Sequence, residues 1–241
     1  MHFLGDILME FKKLFTKKGV LFLGLFALLS LVGMNINFSA LVGKENQFFT
    51  LFQLFGPTAG MFLGPVVGAA SVLIAQLSNF FIAGTQFSML SLLRILPMLF
   101  AAYYFGTKRK SFGIAVSLIA IAAFIAHPLG KQVWYFSLFW TVPLIAAVLP
   151  KKYSEGVMAK SLGSTFAAHA VGGAIWIWSV PMTVEAYIAL IPVVLVERLL
   201  FASGIAVSYV TLNAVLDKAL EKMKVKAESF VEIRKKFTFR A

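Results

Sequence analysis

The sequence predicts an all-α, polytopic membrane protein with one transmembrane domain, and three observations carry that prediction. Apolar residues make up 60% of the chain and charged residues only 13%, against about 45–50% and about 25% in globular domains. Apolar runs of crossing length recur at 19–43, 48–83, 88–106, 111–127, 132–149, 161–182 and 184–217. A helix needs about 20 such residues to cross the hydrocarbon core. The basic residues gather beside these runs, in KKLFTKK, KRK, KKYSEGVMAK and the tail after Asp217, which is the pattern that retains cytoplasmic loops. A β-barrel would need short alternating segments instead, and the sequence has none.

Residues 1–18 read as a cytoplasmic N-terminal segment and not as a signal peptide. They contain Asp6 and Glu10, the apolar run that follows is too long, and no small-residue cleavage site succeeds it. The first span, 19–43, leaves the cytoplasm after Lys12, Lys13, Lys17 and Lys18.

Next comes the stretch FGPTAGMFLGPVVGAA, in which Gly56, Gly60, Gly64 and Gly68 recur every four residues and two of them precede a proline. Were 48–83 to cross once, 15 Lys/Arg would lie outside and 5 inside; if it enters and returns, 18 lie inside and 2, Lys44 and Lys131, outside. The second arrangement obeys the charge rule. Gly56–Pro57 and Gly64–Pro65 supply its mechanism, because proline is tolerated in a first helical turn and breaks a helix interior. The expectation is a broken hairpin sheltered by six transmembrane helices, or seven if 48–83 crosses. Residues spaced by four also form a straight groove on one helix face, which makes the glycine row a candidate partner-docking surface.

Of the last run, 184–217, about 50 Å would be helix, too long for one crossing. Pro192 is expected to divide it into an interfacial piece, VEAYIAL, and a span from 193 to 217. Residues 218–241 form a basic cytoplasmic helical tail with both charges and apolar residues at helical intervals. Both termini then lie on the cytoplasmic side of the cell membrane.

Ionisable residues inside spans are costly and call for partners or water. They are Arg94, His169, Glu197 and Arg198, with His127 near a span end. Glu197 and Arg198 are adjacent and point about 100° apart on a helix, whereas Arg94 and Glu197 enter their spans to similar depth from one side. An Arg94–Glu197 ion pair is therefore expected. His169, Gly172 or Gly173, and Trp176 share a helix face, combining a polar group, missing volume and an aromatic wall. Those are the ingredients of a small-molecule pocket, with Trp134 and Tyr135 as an opposite wall.

Function classes are narrowed by what the sequence lacks. The net charge of +12 is spread over loops and not over one face of a soluble domain, which argues against nucleic acid. There is no cysteine, no His-Glu-x-x-His metal motif, no nucleophile elbow and no phosphate loop. No catalytic residue, metal or cofactor is expected, and ATP could drive the chain only through another subunit.

The segments FGPTAGMFLGPVVGAASVLIAQ, FSMLSLLRILPMLFAAYYFGTKRK and ALIPVVLVERLLFASGIAVSYVTLNAVL resemble the substrate-binding (S) components of energy-coupling factor importers over most of 19–217. The resemblance implies a non-enzymatic subunit that binds a vitamin-like small molecule and docks on a transmembrane coupling protein carrying two ATPases. Substrate-binding residues would be His169, Trp176, Glu197, Arg94, Trp134 and Tyr135. The family docks through small residues spaced by four on its first helix, whereas Gly24, Ala27, Ser30 and Gly33 are spaced by three. A non-catalytic membrane scaffold and an ion-coupled carrier are the alternatives.

Overall fold

The computed structural model describes residues 17–40, 48–222 and 231–238. The expected N-terminal segment up to residue 16, Lys44, and residues 223–230 and 239–241 of the tail lie outside the described residues.

Helices dominate the described residues. Helix α1, Lys17–Met34, leads into a small antiparallel sheet of β1, Asn37–Ala40, and β2, Phe48–Thr50, paired Ser39 to Phe49 and Ala40 to Phe48. A 3-10 turn, Leu51–Leu54, leads to α2, Thr58–Leu63, and α3, Pro65–Ile82. The α4 turn, Met89–Leu93, precedes α5, Leu96–Gly106, and α6, Lys110–Ala126, follows. Next are α7, Pro128–Gln132, a 3-10 helix at Trp134–Thr141 and α8, Val142–Val148. After α9, Lys151–Ser154, come the two longest helices, α10, Val157–Ser179, and α11, Val184–Lys222.

Among the described residues, three segments are long and apolar enough to cross a membrane: Pro65–Ile82, Met89–Gly106 and Val184–Lys222. The surface agrees with them. Leu25, Leu28 and Val32 on α1, Leu118 and Ile119 on α6, and Val196, Val207 and Val215 on α11 are exposed. Serines and a threonine sit inside instead, as Ser117, Ser161, Ser164 and Thr165 do. Apolar patches of this extent face water in few monomers, so this is a membrane protein.

The Gly/Pro stretch is broken at Gly64, whose φ of 87° lies in the left-handed region that favours a residue without Cβ. Pro65 then opens α3 at its first turn, where no backbone donor is lost. Around this pivot the chain folds back: a Cβ on Gly68 would lie 2.4 Å from Gly60 Cα. The entry and exit of the hairpin meet the same place. Leu51 N–H donates to Ile36 O at 2.9 Å, and Asn35 Nδ2 donates to Asn79 Oδ1 at 3.4 Å. Every residue of α2 is buried, and Gly64 at the break is half-buried, so protein covers most of the interrupted stretch, as irregular backbone away from water requires.

Gly56, Gly60 and Gly68 are buried in this crossing and offer no open groove, against their reading as a docking surface, while Gly64 is half-buried at the turn. A Cβ on Gly60 would lie 1.8 Å from the Ala102 carbonyl oxygen of α5, and one on Gly56 would strike Phe52 and Met98 at 2.8 Å. Because the helix breaks at Gly64, the four glycines never form one straight face. On α1, Ser30 is fully buried and Gly33 is covered by Phe55, while Gly24 has open space around it.

Two further expectations are corrected near the carboxyl end. Pro192 lies inside a continuous 39-residue α11 and divides nothing. The tail is not a helix throughout: 231–238 returns to the bundle with only a short 3-10 turn, Lys235–Phe237. Buried Asn213 of α11 grips it by donating to Arg234 O and Phe237 O and accepting from Arg234 N–H. Glu232 N–H caps Phe62 O of α2 at 2.8 Å.

Candidate binding site

A cavity of about 330 Å³ opens between the β-hairpin, α3, α4, α5, the Trp134–Thr141 helix, α10 and α11. Its volume is at the lower end of the range for small-molecule sites. Arg94, His169, Trp176 and Glu197 all line it, although they come from three separate stretches of sequence.

His169 reaches the cavity from α10, one of whose faces is built of small residues. Gly163 leaves room for the Tyr104 ring, and Ser164 donates to Ala101 O at 2.8 Å, so α10 seats closely on α5. The two adjacent glycines separate in role. Gly173 receives the Trp140 ring, which a Cβ would meet at 2.5 Å, while Gly172 faces the cavity with only Pro97 nearby at 3.5 Å. Trp140 is fully buried, and its Nε1–H donates to His169 Nδ1 at 3.2 Å. With Nδ1 accepting, a neutral imidazole carries its proton on Nε2. His169 is thereby set as a hydrogen-bond donor. Trp176, two helical turns beyond, and Phe136 supply flat walls.

The charged groups are arranged differently from the expectation. Glu197 pairs with its neighbour Arg198, Nη2 to Oε2 at 3.4 Å, and not with Arg94. Adjacent residues can pair because long side chains bend toward each other when both are enclosed: their side chains are 12% and 5% exposed. The second carboxylate oxygen of Glu197 accepts from Ser39 Oγ of β1. The Arg198 guanidinium lies over the rings of Phe49 and Phe201, 4.8 and 4.6 Å from their centroids, a favourable cation–π geometry. Its Nε is buried without a hydrogen-bond partner among the described residues, as is the Tyr187 hydroxyl. Arg94, at the break between α4 and α5, lines the cavity; its backbone N–H donates to Leu90 O at 3.0 Å, and its side chain makes no ion pair or hydrogen bond among the described residues.

Trp134 and Tyr135 do not line the cavity, which corrects their place in the site. The segment is a 3-10 helix, and Trp134 at its first position is 52% exposed. Tyr135 packs from outside against the aromatic cluster of Phe124, Phe136 and Trp140, and Phe136 takes the inward position. Trp178 likewise faces out, donating to Ala123 O at 2.9 Å. His127 caps α7 by accepting from Leu129 N–H.

Sequence reasoning left out Arg198, Tyr187, Phe49, Gln76 and Asn79, which also line the cavity. Tyr187 was hidden by the division expected at Pro192. For Phe49 no signal existed, because it arrives on a short strand, β2, within an apolar run read as helical. Gln76 and Asn79 were legible in principle as amides at i and i+3 on the same helix face.

No protein-family model matches this chain, and comparison with curated proteins and with solved structures finds no significant match.

Proposed function

We propose that this chain is the membrane-embedded substrate-binding subunit of a micronutrient importer, energised by a transmembrane coupling protein with ATPase subunits. The observation that carries the proposal is one small-molecule-sized cavity, inside an apolar-surfaced helical bundle, in which Arg94, His169, Trp176 and Glu197 converge. The polar groups suit capture better than chemistry. His169 is held by Trp140, and Glu197 by Ser39 and Arg198, so they present fixed hydrogen-bonding faces to a ligand.

The proposed topology has six full crossings around the 48–83 hairpin, in the cell membrane, with both termini cytoplasmic. The return of the hairpin beside Asn35–Ile36 and the clustering of basic residues in alternate loops support it. The cavity then faces outward, toward the end of the bundle that carries the β-hairpin. A partner surface is not assigned to the glycine row, since Gly56, Gly60 and Gly68 are covered by this chain.

Native mass spectrometry of gently purified protein tests the reading. It should detect a stoichiometric small ligand, and affinity purification from the native host should recover an ATPase-bearing complex. A chain that carries neither, and whose wild-type and His169→Ala forms bind a vitamin panel equally poorly, is not a substrate-binding subunit.

A further inference from the structure

We infer that the cavity takes a monoanionic ligand, a carboxylate on a flat apolar body, with Arg94 as its counter-ion. The inference rests on reading the cavity as a substrate site and adds the class of substrate. Its basis is an imbalance of charge. Three charged side chains line the cavity among the described residues: Arg94, Arg198 and Glu197. Glu197 is matched by Arg198 at 3.4 Å and further held by Ser39. The Arg94 guanidinium is left with no ion pair or hydrogen bond among the described residues.

An ionised guanidinium half-buried at membrane depth calls for compensation. Among the described residues the lining supplies one carboxylate for two guanidiniums, so a ligand with a single negative charge completes that set. Guanidinium binds a carboxylate through two parallel N–H···O bonds, and Arg94 has its whole fork free for this. The Nε2–H of His169 offers a further donor toward an acceptor-rich ligand. Glu197 occupies the place where a cationic ligand would look for its partner, and it is already engaged twice. Trp176 and Phe136, with the open space at Gly172, accommodate a ring system.

The test uses three probes with one bicyclic body: 1-naphthoate, 1-naphthamide and 1-naphthylmethylammonium. Binding to purified protein in lipid nanodiscs is measured by equilibrium dialysis, with empty nanodiscs subtracted. Naphthoate should bind at least about tenfold tighter than the amide, the value expected for one charge-assisted bidentate contact, and the ammonium should bind weakest. Arg94→Gln should bring the acid-to-amide ratio to about one, and Arg94→Lys should keep part of it. The inference fails if the amide or the ammonium binds wild-type protein as tightly as the acid. It also fails if Arg94→Gln leaves the ratio unchanged, or if none of the three binds. Should Arg94→Gln not fold, the ranking of the three probes on wild-type protein decides alone. Failure here is separable from failure of the importer reading. A chain that prefers the acid but has no ATPase partner keeps the anion site, and one that has partners but prefers the amide loses it.

Discussion

At the scale of single residues, the site is held by two contacts that mutation can separate. Trp140→Phe removes the N–H that orients His169 and, because the outer ring of the indole lies at Gly173, also leaves a void there. Stability should fall by more than the ~1 kcal/mol of one hydrogen bond, while ligand affinity falls several-fold because His169 can then present either nitrogen. Chemical denaturation and ligand titration of the same preparation check both halves. Glu197→Ala leaves the Arg198 charge enclosed and unpaired, which should cost about 3–5 kcal/mol. Adding Arg198→Met should recover much of that loss, because the apolar stem keeps contact with Phe49 and Phe201. Adding Arg94→Met should not, since Arg94 is not the partner of Glu197. Rescue by Arg94→Met and not by Arg198→Met, in unfolding measured in detergent, would reverse the assignment of the ion pair.

At the scale of elements, the hairpin depends on glycines for different reasons, and substitution should rank them. Gly60→Ala drives a methyl group against the Ala102 carbonyl, a backbone atom that cannot rotate away, so a loss of about 1–3 kcal/mol or more is expected from overpacking. Gly64→Ala strains a residue at φ 87° by about 1–2 kcal/mol. Gly24→Ala meets nothing and gains about 0.5–1 kcal/mol from helix propensity. Melting temperatures in the order Gly24→Ala, wild type, Gly64→Ala, Gly60→Ala would check the ranking. The break at Gly64 was legible because Gly–Pro is a local instruction: its effect on backbone angles needs no knowledge of neighbours. The continuity of α11 was not, because whether a helix survives Pro192 depends on what packs around it. The same limit applied to the Glu197–Arg198 pair, where helix angles pointed apart and enclosure brought the side chains together. Trp134 and Tyr135 were misplaced because their facing depends on a 3-10 twist that no residue in KQVWYFSLFW announces. The returning tail was equally invisible, since it turns on Asn213, one buried amide.

At the scale of the whole molecule, apolar outside and polar inside is the arrangement a bilayer selects, and the loops decide which way the bundle faces. Basic residues sit at the ends of α5, α8 and α11, in KRK, KKYSEGVMAK and the tail, whereas the α6–α8 connection holds Lys131 alone. The absence of cysteine permits single-cysteine labelling without background. Lys108, Lys131 and Lys222 are exposed, so each can be replaced with little effect on the fold. With a membrane-impermeant maleimide on intact cells, Lys131→Cys should label, and Lys108→Cys and Lys222→Cys should label only after permeabilisation. Because α5 and the hairpin are joined through Gly60 and Gly106, the side occupied by Lys108 also fixes the side to which the Gly64 turn points. Labelling of Lys108→Cys on intact cells would place that turn and the basic loops outside, turn the β-hairpin toward the cytoplasm, and convert the outward-facing cavity into one open to the cell interior.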